Sequence, residues 1–257
     1  MKKIRKKNKS KKAVKPKRNP QRLKMREEGG GFSSEREPAD EKWHAERLIP
    51  SLRSRRKDEP IKISEPNIDQ ASSDRVADLI DLGSLSTHST RENAEHDFLC
   101  YLEDCGQDER SLDVNIVSSG TAALHLAMIV YEIGPGDLVF VPNYTFPATV
   151  NVVKLVGATP VLVDVEPESY VINAETLSEA IEESRGLGRL RAVIPVHEFG
   201  FPAPMTELME VARANDMVVI EDAACAIGAF SGEDMVGTIG DMGCFSLHPR
   251  KIVTTGE

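Results

Sequence analysis

Short apolar runs alternate with stretches of helical periodicity over more than 100 residues of the sequence, and this alternation restricts the fold more than any other feature. The runs lie at residues 114–117, 138–142, 160–164, 192–196 and 218–220. Apolar residues at helical spacing between them predict helices at residues 121–131, 148–156, 174–184 and 205–215. We therefore expect an α/β fold, with a mainly parallel sheet flanked by helices and ligands bound at the carboxyl ends of the strands.

Two further helices are predicted before this core, at residues 75–82 and 92–102, where apolar residues again recur at helical spacing. The polar segment 83–90 between them is rich in serine and threonine. We expect this segment to form a loop that covers a ligand site.

Charge divides the chain into two parts. Residues 1–60 hold 21 Lys and Arg against 9 Asp and Glu, whereas the whole chain has a net charge of −9. Because residues 1–26 hold 14 basic residues and no acid, we expect 1–60 to be a disordered extension and linker, and 61–257 to be the folded domain. A basic arm can contact polyanions, but these first 26 residues contain no aromatic side chain to stack on bases.

The remaining composition indicates a cytoplasmic protein. Four cysteines, Cys100, Cys105, Cys225 and Cys244, lack the spacing of metal ligands, and no secretory signal is recognisable. The sequence also has no uninterrupted apolar run of about 20 residues, the length that a membrane-spanning helix requires. We expect reduced thiols, no metal site and no membrane segment.

An anion site is predicted where the first apolar run meets its helix, in the segment Ser118-Ser119-Gly120-Thr121-Ala122. Glycine allows close approach of a ligand to the backbone, and the N–H groups at the start of a helix attract a phosphate. The alternative is an ordinary helix N-cap, which is the commoner role of such residues.

Two more candidates follow later strands. Phe146 lies just after the run 138–142 and could stack on an aromatic ligand, or pack against the sheet. Asp222 follows the run 218–220, where a carboxylate could keep a pyridine nitrogen protonated or could cap the next turn. Its neighbour Glu221 is expected to point away, toward packing or solvent.

Lys251 is the candidate that connects these features. It follows a short apolar run at residues 244–247, which we interpret as a strand, and Ser246 lies five residues before it. A lysine in this setting can form a Schiff base with a carbonyl cofactor, for which pyridoxal phosphate (PLP) is the candidate. The alternative is a solvated surface lysine, which is the commoner case for one segment taken alone.

Five motifs together resemble the DegT-type (DegT/DnrJ/StrS) sugar aminotransferases, which are fold-type I PLP enzymes. They are Ser-Gly-Thr-Ala-Ala-Leu at 119–124, Gly-Pro-Gly-Asp at 134–137, Gly-Ala-Thr-Pro-Val at 157–161, Glu-Asp-Ala-Ala at 221–224 and Gly-Asp-Met-Gly-Cys-Phe-Ser at 240–246. The resemblance covers roughly residues 61–257.

The resemblance implies a role for each candidate. Lys251 would be the catalytic lysine that binds PLP, and Asp222 would contact the pyridine nitrogen. Phe146 would stack on the ring, and Gly120, Thr121, Ala122 and Ser246 would surround the phosphate. Cys225 stands where the family often has Gln or His near the phenolic oxygen, although a thiol is a weak hydrogen-bond partner.

The resemblance also implies a reaction and partners. Lysine at position 251 favours transfer of an amino group from an amino acid such as glutamate to a keto sugar nucleotide, in amino-sugar or polysaccharide biosynthesis, by a homodimer. Family members continue past Gly256-Glu257 into a further strand and a small domain, so we expect this 257-residue chain by itself to be a poor catalyst.

Two other functions stay open at this point. One is a PLP-binding protein, or an inactive fragment, with a regulatory or scaffolding role. The other is a protein that associates with nucleic acid through its basic arm. His197 and His248 are predicted to be either structural residues or substrate contacts.

Overall fold

The structure is a computed structural model that describes residues 68–83, 88–105 and 112–255. The expectations for residues 1–60, for the domain boundary at residue 60, and for residues 84–87 of the loop at 83–90 concern positions outside these described residues. The second predicted helix begins at His88, inside the segment expected to be a loop.

A five-stranded parallel sheet forms the centre, which confirms the predicted fold class. The strands are β1 (Asp137–Pro142), β2 (Thr159–Val163), β3 (Arg189–Val193), β4 (Val218–Asp222), β5 (Phe230–Ser231), β6 (Asp234–Met235) and β7 (Met242–Cys244). The strand order of the sheet is β2-β1-β3-β4-β7, and β5 pairs with β6 in a separate antiparallel hairpin.

Four helices cover the two faces of the sheet: α3 (Gly120–Val130), α4 (Pro147–Leu155), α5 (Ala174–Glu183) and α6 (Met205–Ala214). Two more, α1 (Gln70–Asp81) and α2 (His88–Cys105), precede them in the chain. Alternate residues of β1 enter two separate apolar cores: Leu138 and Phe140 pack with α5 and α6, whereas Val139 and Val141 pack with α3 and α4. This double burial explains why residues 138–142 of β1 are all apolar rather than alternating with polar residues.

The segment 114–117 is the main error of the secondary-structure prediction. It is not a strand, and the Ile116 N–H donates a hydrogen bond to the Glu95 carboxylate at 2.9 Å instead of to a neighbouring strand. An apolar run becomes a strand only where another strand supplies backbone partners. Within the described residues, no strand pairs with this segment.

Two other strand boundaries differ from the prediction. β3 ends at Val193, and beyond it only Val196 forms an isolated bridge, with Asp222. The last strand, β7, ends at Cys244. Residues 245–247, which the sequence predicts to be part of this strand, lie outside it. Both changes leave irregular backbone at the carboxyl edge of the sheet, next to Asp222.

The start of β1 is tied to the start of β3 by a buried carboxylate. Asp137 accepts a hydrogen bond from Arg189 Nε at 2.6 Å and from the Gly134 N–H at 2.9 Å. Burial by itself would raise the pKa of Asp137, but these hydrogen bonds and the charges of Arg189 and Arg191 lower it below its ordinary value. The ionised form of Asp137 therefore stabilises the fold.

Replacing this carboxylate tests its contribution. Asp137→Ala leaves the Gly134 N–H without its acceptor, and we expect it to lower the free energy of unfolding by about 1–3 kcal/mol at neutral pH. Because the folded-state pKa of Asp137 is lowered, its contribution to stability is fully present above the pKa of an ordinary carboxyl group. This contribution is lost as the pH falls through the folded-state pKa of Asp137. Urea unfolding at several pH values measures both effects.

Glu182→Ala is the matched control, since Glu182 forms an ion pair with Arg185 on the surface of α5, where both side chains are exposed. We expect no measurable change for this variant. Equal destabilisation by the two substitutions would contradict a special role for Asp137.

Candidate active site

Seven of the eight predicted site residues line one cavity of about 1330 Å³ at the carboxyl edge of the sheet. They are Gly120, Thr121, Phe146, Asp222, Cys225, Ser246 and Lys251. The eighth, Ala122, does not line the cavity, and its N–H donates to Ser119 Oγ at 3.1 Å. Phe146 follows the first strand, Asp222 ends the fourth and Lys251 follows the last. These three residues meet in one place because parallel strands end at the same edge.

The N-terminus of α3 forms one wall of the cavity. Ser119 is its N-cap, with its side chain bonded to the Ala122 N–H and its carbonyl to the Ala123 N–H. The N–H groups of Gly120 and Thr121 have no acceptor within the described part of the chain. The N-cap and the anion-site interpretations therefore hold together: Ser119 caps the helix, and two donors stay available for an anion.

Close packing favours glycine at position 120. A Cβ at this position would lie 3.1 Å from Ser246 Cβ and 3.2 Å from the Phe245 carbonyl oxygen. Its absence brings the start of α3 directly against the segment after β7, so the buried Ser246 side chain lies beside the helix N-terminus. The two predicted parts of the phosphate site, 120–121 and 246, are consequently adjacent.

Asp222 ends β4 and is almost completely buried. Thr149 Oγ1 donates to its Oδ2 at 2.8 Å, and the Ala224 N–H donates to its Oδ1 at 3.2 Å. Burial raises the pKa of Asp222, while these hydrogen bonds and the charge of Lys251 oppose the rise. The carboxylate is therefore costly to ionise unless a cation joins it.

Lys251 lies in a bend after β7, where its N–H donates to the His248 carbonyl at 2.8 Å. Its Nζ donates to Cys225 Sγ at 3.0 Å, and both side chains are partly buried. The prediction of a lysine and a thiol in one site thus corresponds to a direct contact between them. Lys251 is not a freely solvated surface residue.

Phe146 precedes α4 and is 72% exposed, so it does not pack against the sheet as the alternative interpretation required. Pro147 begins the helix, and no side-chain cap is formed by Phe146. An aromatic ring that lines a cavity and remains accessible is available to stack on a ligand. The stacking role itself stays a prediction.

His197 and Glu221 form a buried pair behind the cavity. His197 Nε2 lies 3.1 Å from Glu221 Oε2, and His197 Nδ1 accepts the Ala203 N–H at 3.0 Å. Because Nδ1 is an acceptor, the proton is on Nε2 and is donated to Glu221. Glu221 points away from the cavity as expected, but toward buried donors and not toward solvent.

His248 also has a backbone contact. Its Nδ1 accepts the Arg250 N–H at 3.1 Å, which shapes the bend that carries Lys251. For His197, which is buried and does not line the cavity, the hydrogen-bonded structural role accounts for these contacts. His248 lines the cavity, so both interpretations stay predictions for it.

Two residues of the site escaped the sequence analysis. Thr149 contacts Asp222 although the two are 73 positions apart, and a threonine inside a helix has no distinguishing pattern. Glu198 lines the cavity after β3, where burial and the neighbouring Asp222 raise its pKa and Lys251 opposes the rise. A strand-end acid following His197 was the available signal for Glu198.

The helices of the described residues include none that is both long and apolar enough to cross a membrane. This finding concerns residues 68–83, 88–105 and 112–255 only.

Curated relatives match about half of this chain. A GDP-perosamine synthase from Caulobacter vibrioides is 44% identical over 140 residues, which are 54% of this chain and 36% of the relative. A UDP-N-acetyl-3-dehydro-alpha-D-glucosamine 3-aminotransferase from Acidithiobacillus ferrooxidans is 48% identical over 134 residues, 52% of this chain and 35% of the relative. The matched segment thus spans about a third of each relative's length.

Solved structures agree with these relatives. An aminotransferase from Psychrobacter cryohalolentis superimposes with a TM-score of 0.67 at 30% identity, covering 74% of this chain and 46% of the other. A Streptococcus pneumoniae protein described as a sugar aminotransferase, in its PLP form, gives a TM-score of 0.67 at 30% identity, covering 77% and 51%. The model of the DegT/DnrJ/EryC1/StrS aminotransferase family matches residues 66–257, and the chain belongs to that family.

Proposed function

We propose that this protein transfers an amino group from glutamate to the carbonyl group of a keto sugar nucleotide. The observation that carries the proposal is the convergence of Lys251, Asp222 and the α3 N-terminus on one cavity. The names of two relatives, one a GDP-linked and one a UDP-linked sugar enzyme, support the substrate class. The chain spans about half the length of the solved aminotransferases that it matches, so the activity is proposed for the whole protein.

Family membership and the PLP form of a solved relative indicate pyridoxal phosphate as the cofactor. The side chains and backbone donors of the cavity fit this molecule. The unpaired N–H groups of Gly120 and Thr121, with the Ser246 hydroxyl beside them, suit a phosphate. Asp222, whose ionisation burial disfavours, suits a protonated pyridine nitrogen that brings a positive charge.

When bound, pyridoxal phosphate supplies an aromatic ring that accepts the electrons left behind when a proton leaves the substrate Cα. Asp222 would hold the proton on the ring nitrogen and so maintain this capacity. Lys251 would attach the cofactor through Nζ and, once released, would move the proton to and from the substrate carbon. Gly120, Thr121 and Ser246 would hold the phosphate, and Phe146 would cover the ring.

Cys225 is included in the proposed cofactor site because its Sγ contacts Lys251 Nζ. Thr149 supports Asp222 by donating to Oδ2, which leaves Oδ1 with only the longer 3.2 Å contact from the Ala224 N–H. The fixed hydrogen bond from Thr149 restricts rotation of the carboxylate. Thr149 is therefore a positioning residue in this proposal.

The protein should convert glutamate to 2-oxoglutarate over many turnovers only when PLP and a keto sugar nucleotide are both present. Mass spectrometry of the aminated sugar and of 2-oxoglutarate measures the reaction. Failure with every GDP- and UDP-linked keto sugar tested would refute the substrate class.

Lys251→Ala is the control for this reaction. Loss of the lysine should reduce turnover by about 100-fold or more, since it removes a proton-transfer group. Borohydride reduction in the presence of PLP should link the cofactor to Lys251 in the unsubstituted protein. Peptide mapping that found the label on another lysine would show that Lys251 is wrongly assigned.

The variant Asp222→Asn distinguishes the effect of Asp222 on PLP binding from its effect on the stability of the protein. Because the folded-state pKa of Asp222 is raised, the stability of the cofactor-free protein should fall as the pH rises from the ordinary carboxyl pKa through the folded value. Asp222→Asn removes the ionisable group and with it this loss of stability. At neutral pH and without PLP, we therefore expect the variant to melt at a higher temperature than the unsubstituted protein. Its PLP affinity should be about 10- to 100-fold weaker, since a hydrogen bond to a charged group is lost.

Thermal unfolding and PLP titration measure the two effects of Asp222→Asn. The control is Asp78→Asn on the exposed surface of α1, which should change neither quantity. A lower melting temperature for Asp222→Asn would contradict the inferred cost of burying the carboxylate.

We also propose that the protein forms a homodimer and is cytoplasmic. Support for the dimer comes from three aromatic side chains that pack together while remaining exposed: Tyr144, Tyr170 and Phe199. Exposed clusters of this kind are common at protein interfaces. Sedimentation velocity at micromolar concentration should show a dimer, and a single monomeric species of the full-length product would contradict it.

A further inference from the structure

The contact between Cys225 and Lys251 places two nucleophiles side by side in the cavity. The Nζ and Sγ atoms are 3.0 Å apart, and both residues line the space that a small molecule can enter. Cys244 differs, since it is buried and burial raises its pKa to about 12, so its thiol is protonated and unreactive at neutral pH. Within the described residues, Cys225 is the thiol that lines this cavity.

We propose that Cys225 is a site of oxidative modification, at which a hydroperoxide joins Cys225 Sγ to Lys251 Nζ by a covalent sulfur–nitrogen bond. The bond would remove the lysine nitrogen from use until a thiol reductant restores it. The chemistry depends only on the geometry of this pair. Its consequence for activity rests on the proposed function of Lys251.

The reaction proceeds in two balanced steps. First, the Cys225 thiolate attacks an oxygen of the hydroperoxide, the O–O bond breaks, and sulfur gains a hydroxyl group. The leaving oxygen takes up the proton that the thiol gave up, so the peroxide is reduced to an alcohol or to water. Second, the neutral Lys251 amine attacks Sγ and displaces the hydroxyl, which leaves as water with a proton from the nitrogen. The protein loses two hydrogen atoms in total.

Reduction reverses the modification. A dithiol attacks Sγ and breaks the sulfur–nitrogen bond, and Lys251 takes up a proton as its amine is released. The second thiol of the reductant then completes a disulfide and frees Cys225. Two electrons taken by the hydroperoxide are thus returned by the dithiol.

Lys251 is the favoured partner for oxidised Cys225 on geometric grounds. A sulfenic acid also condenses with a backbone nitrogen or with another thiol. The Ala226 N–H, next in the chain, is already bonded to the Ala223 carbonyl at 3.0 Å. Lys251 Nζ is in contact with the sulfur before oxidation, and its flexible side chain can close the remaining distance.

The test treats the cofactor-free 257-residue chain with hydrogen peroxide and maps the peptides by mass spectrometry. The expected product is a linked peptide that joins Cys225 to Lys251, lighter by two hydrogen atoms than the sum of its parts, and separated again by dithiothreitol. A peptide that links Cys225 to Cys244, or no linked peptide at all, would overturn the proposal. So would a link that contains an additional oxygen atom.

Three variants make the assignment specific. Lys251→Met should abolish the link and leave an oxidised Cys225 that dimedone labels, and Cys225→Ala should lose both link and label. Cys100→Ser should retain the link, because Cys100 lies on α2 beside His96 and outside the cavity. Loss of two hydrogens that persists in Lys251→Met would identify a disulfide or a backbone sulfenamide and would overturn the proposal. Circular dichroism confirms that each variant is folded.

Loading the chain with PLP before oxidation distinguishes this inference from the proposed function. If Lys251 holds the cofactor, the link should decrease at least about tenfold, because the lysine nitrogen is occupied. An undiminished link would show that Lys251 is not the cofactor lysine, and the modification site would still stand.

Discussion

A buried carboxylate, that of Glu221, holds together the part of the structure that carries the site. It accepts hydrogen bonds from His197 Nε2 and from the N–H groups of Gly237, Ile239 and Gly240, at 2.7 to 3.1 Å. Four donors compensate for the loss of water around this side chain. Through them, β4 is bound to the segment after β3 and to the loop that leads into β7.

The tight packing of that loop follows from its glycines. A Cβ at Gly243 would lie 1.9 Å from the Gly237 carbonyl oxygen, and Gly237 itself has a positive φ of 88°. Only residues without side chains allow β7 to lie this close to the loop. The position of β7 in turn determines where Ser246 and Lys251 enter the cavity.

Neighbouring acids on β4 have opposite environments. Side chains alternate between the two faces of a strand, so Glu221 points toward its four donors while Asp222 points into the cavity. Asp222 receives two hydrogen bonds, and burial raises its pKa. One carboxylate is thus fully compensated inside the protein, whereas the other favours a positively charged partner. A structural role and the proposed binding role are separated by one position in the chain.

Much of this arrangement could be predicted from the sequence. The βα alternation, the strand-end position of Asp222, and the convergence of residues 146, 222 and 251 follow from apolar periodicity and from the geometry of parallel strands. The main failure of the prediction, at residues 114–117, has an identifiable cause. Residues 114–117 are as apolar as a strand, yet they have no pairing partner in the described part of the fold. Apolar periodicity indicates which side chains avoid water, but it does not indicate whether another strand is available for backbone pairing.

The sequence by itself determined which elements form and which chemical groups stand at their ends, because both depend on local spacing and residue type. Only the tertiary structure decided which groups touch. The hydrogen bonds from Thr149 to Asp222 and from Lys251 to Cys225, and the pair formed by His197 and Glu221, each join residues more than 20 positions apart. Such contacts depend on how strands and helices pack in three dimensions, and local sequence patterns do not record that packing.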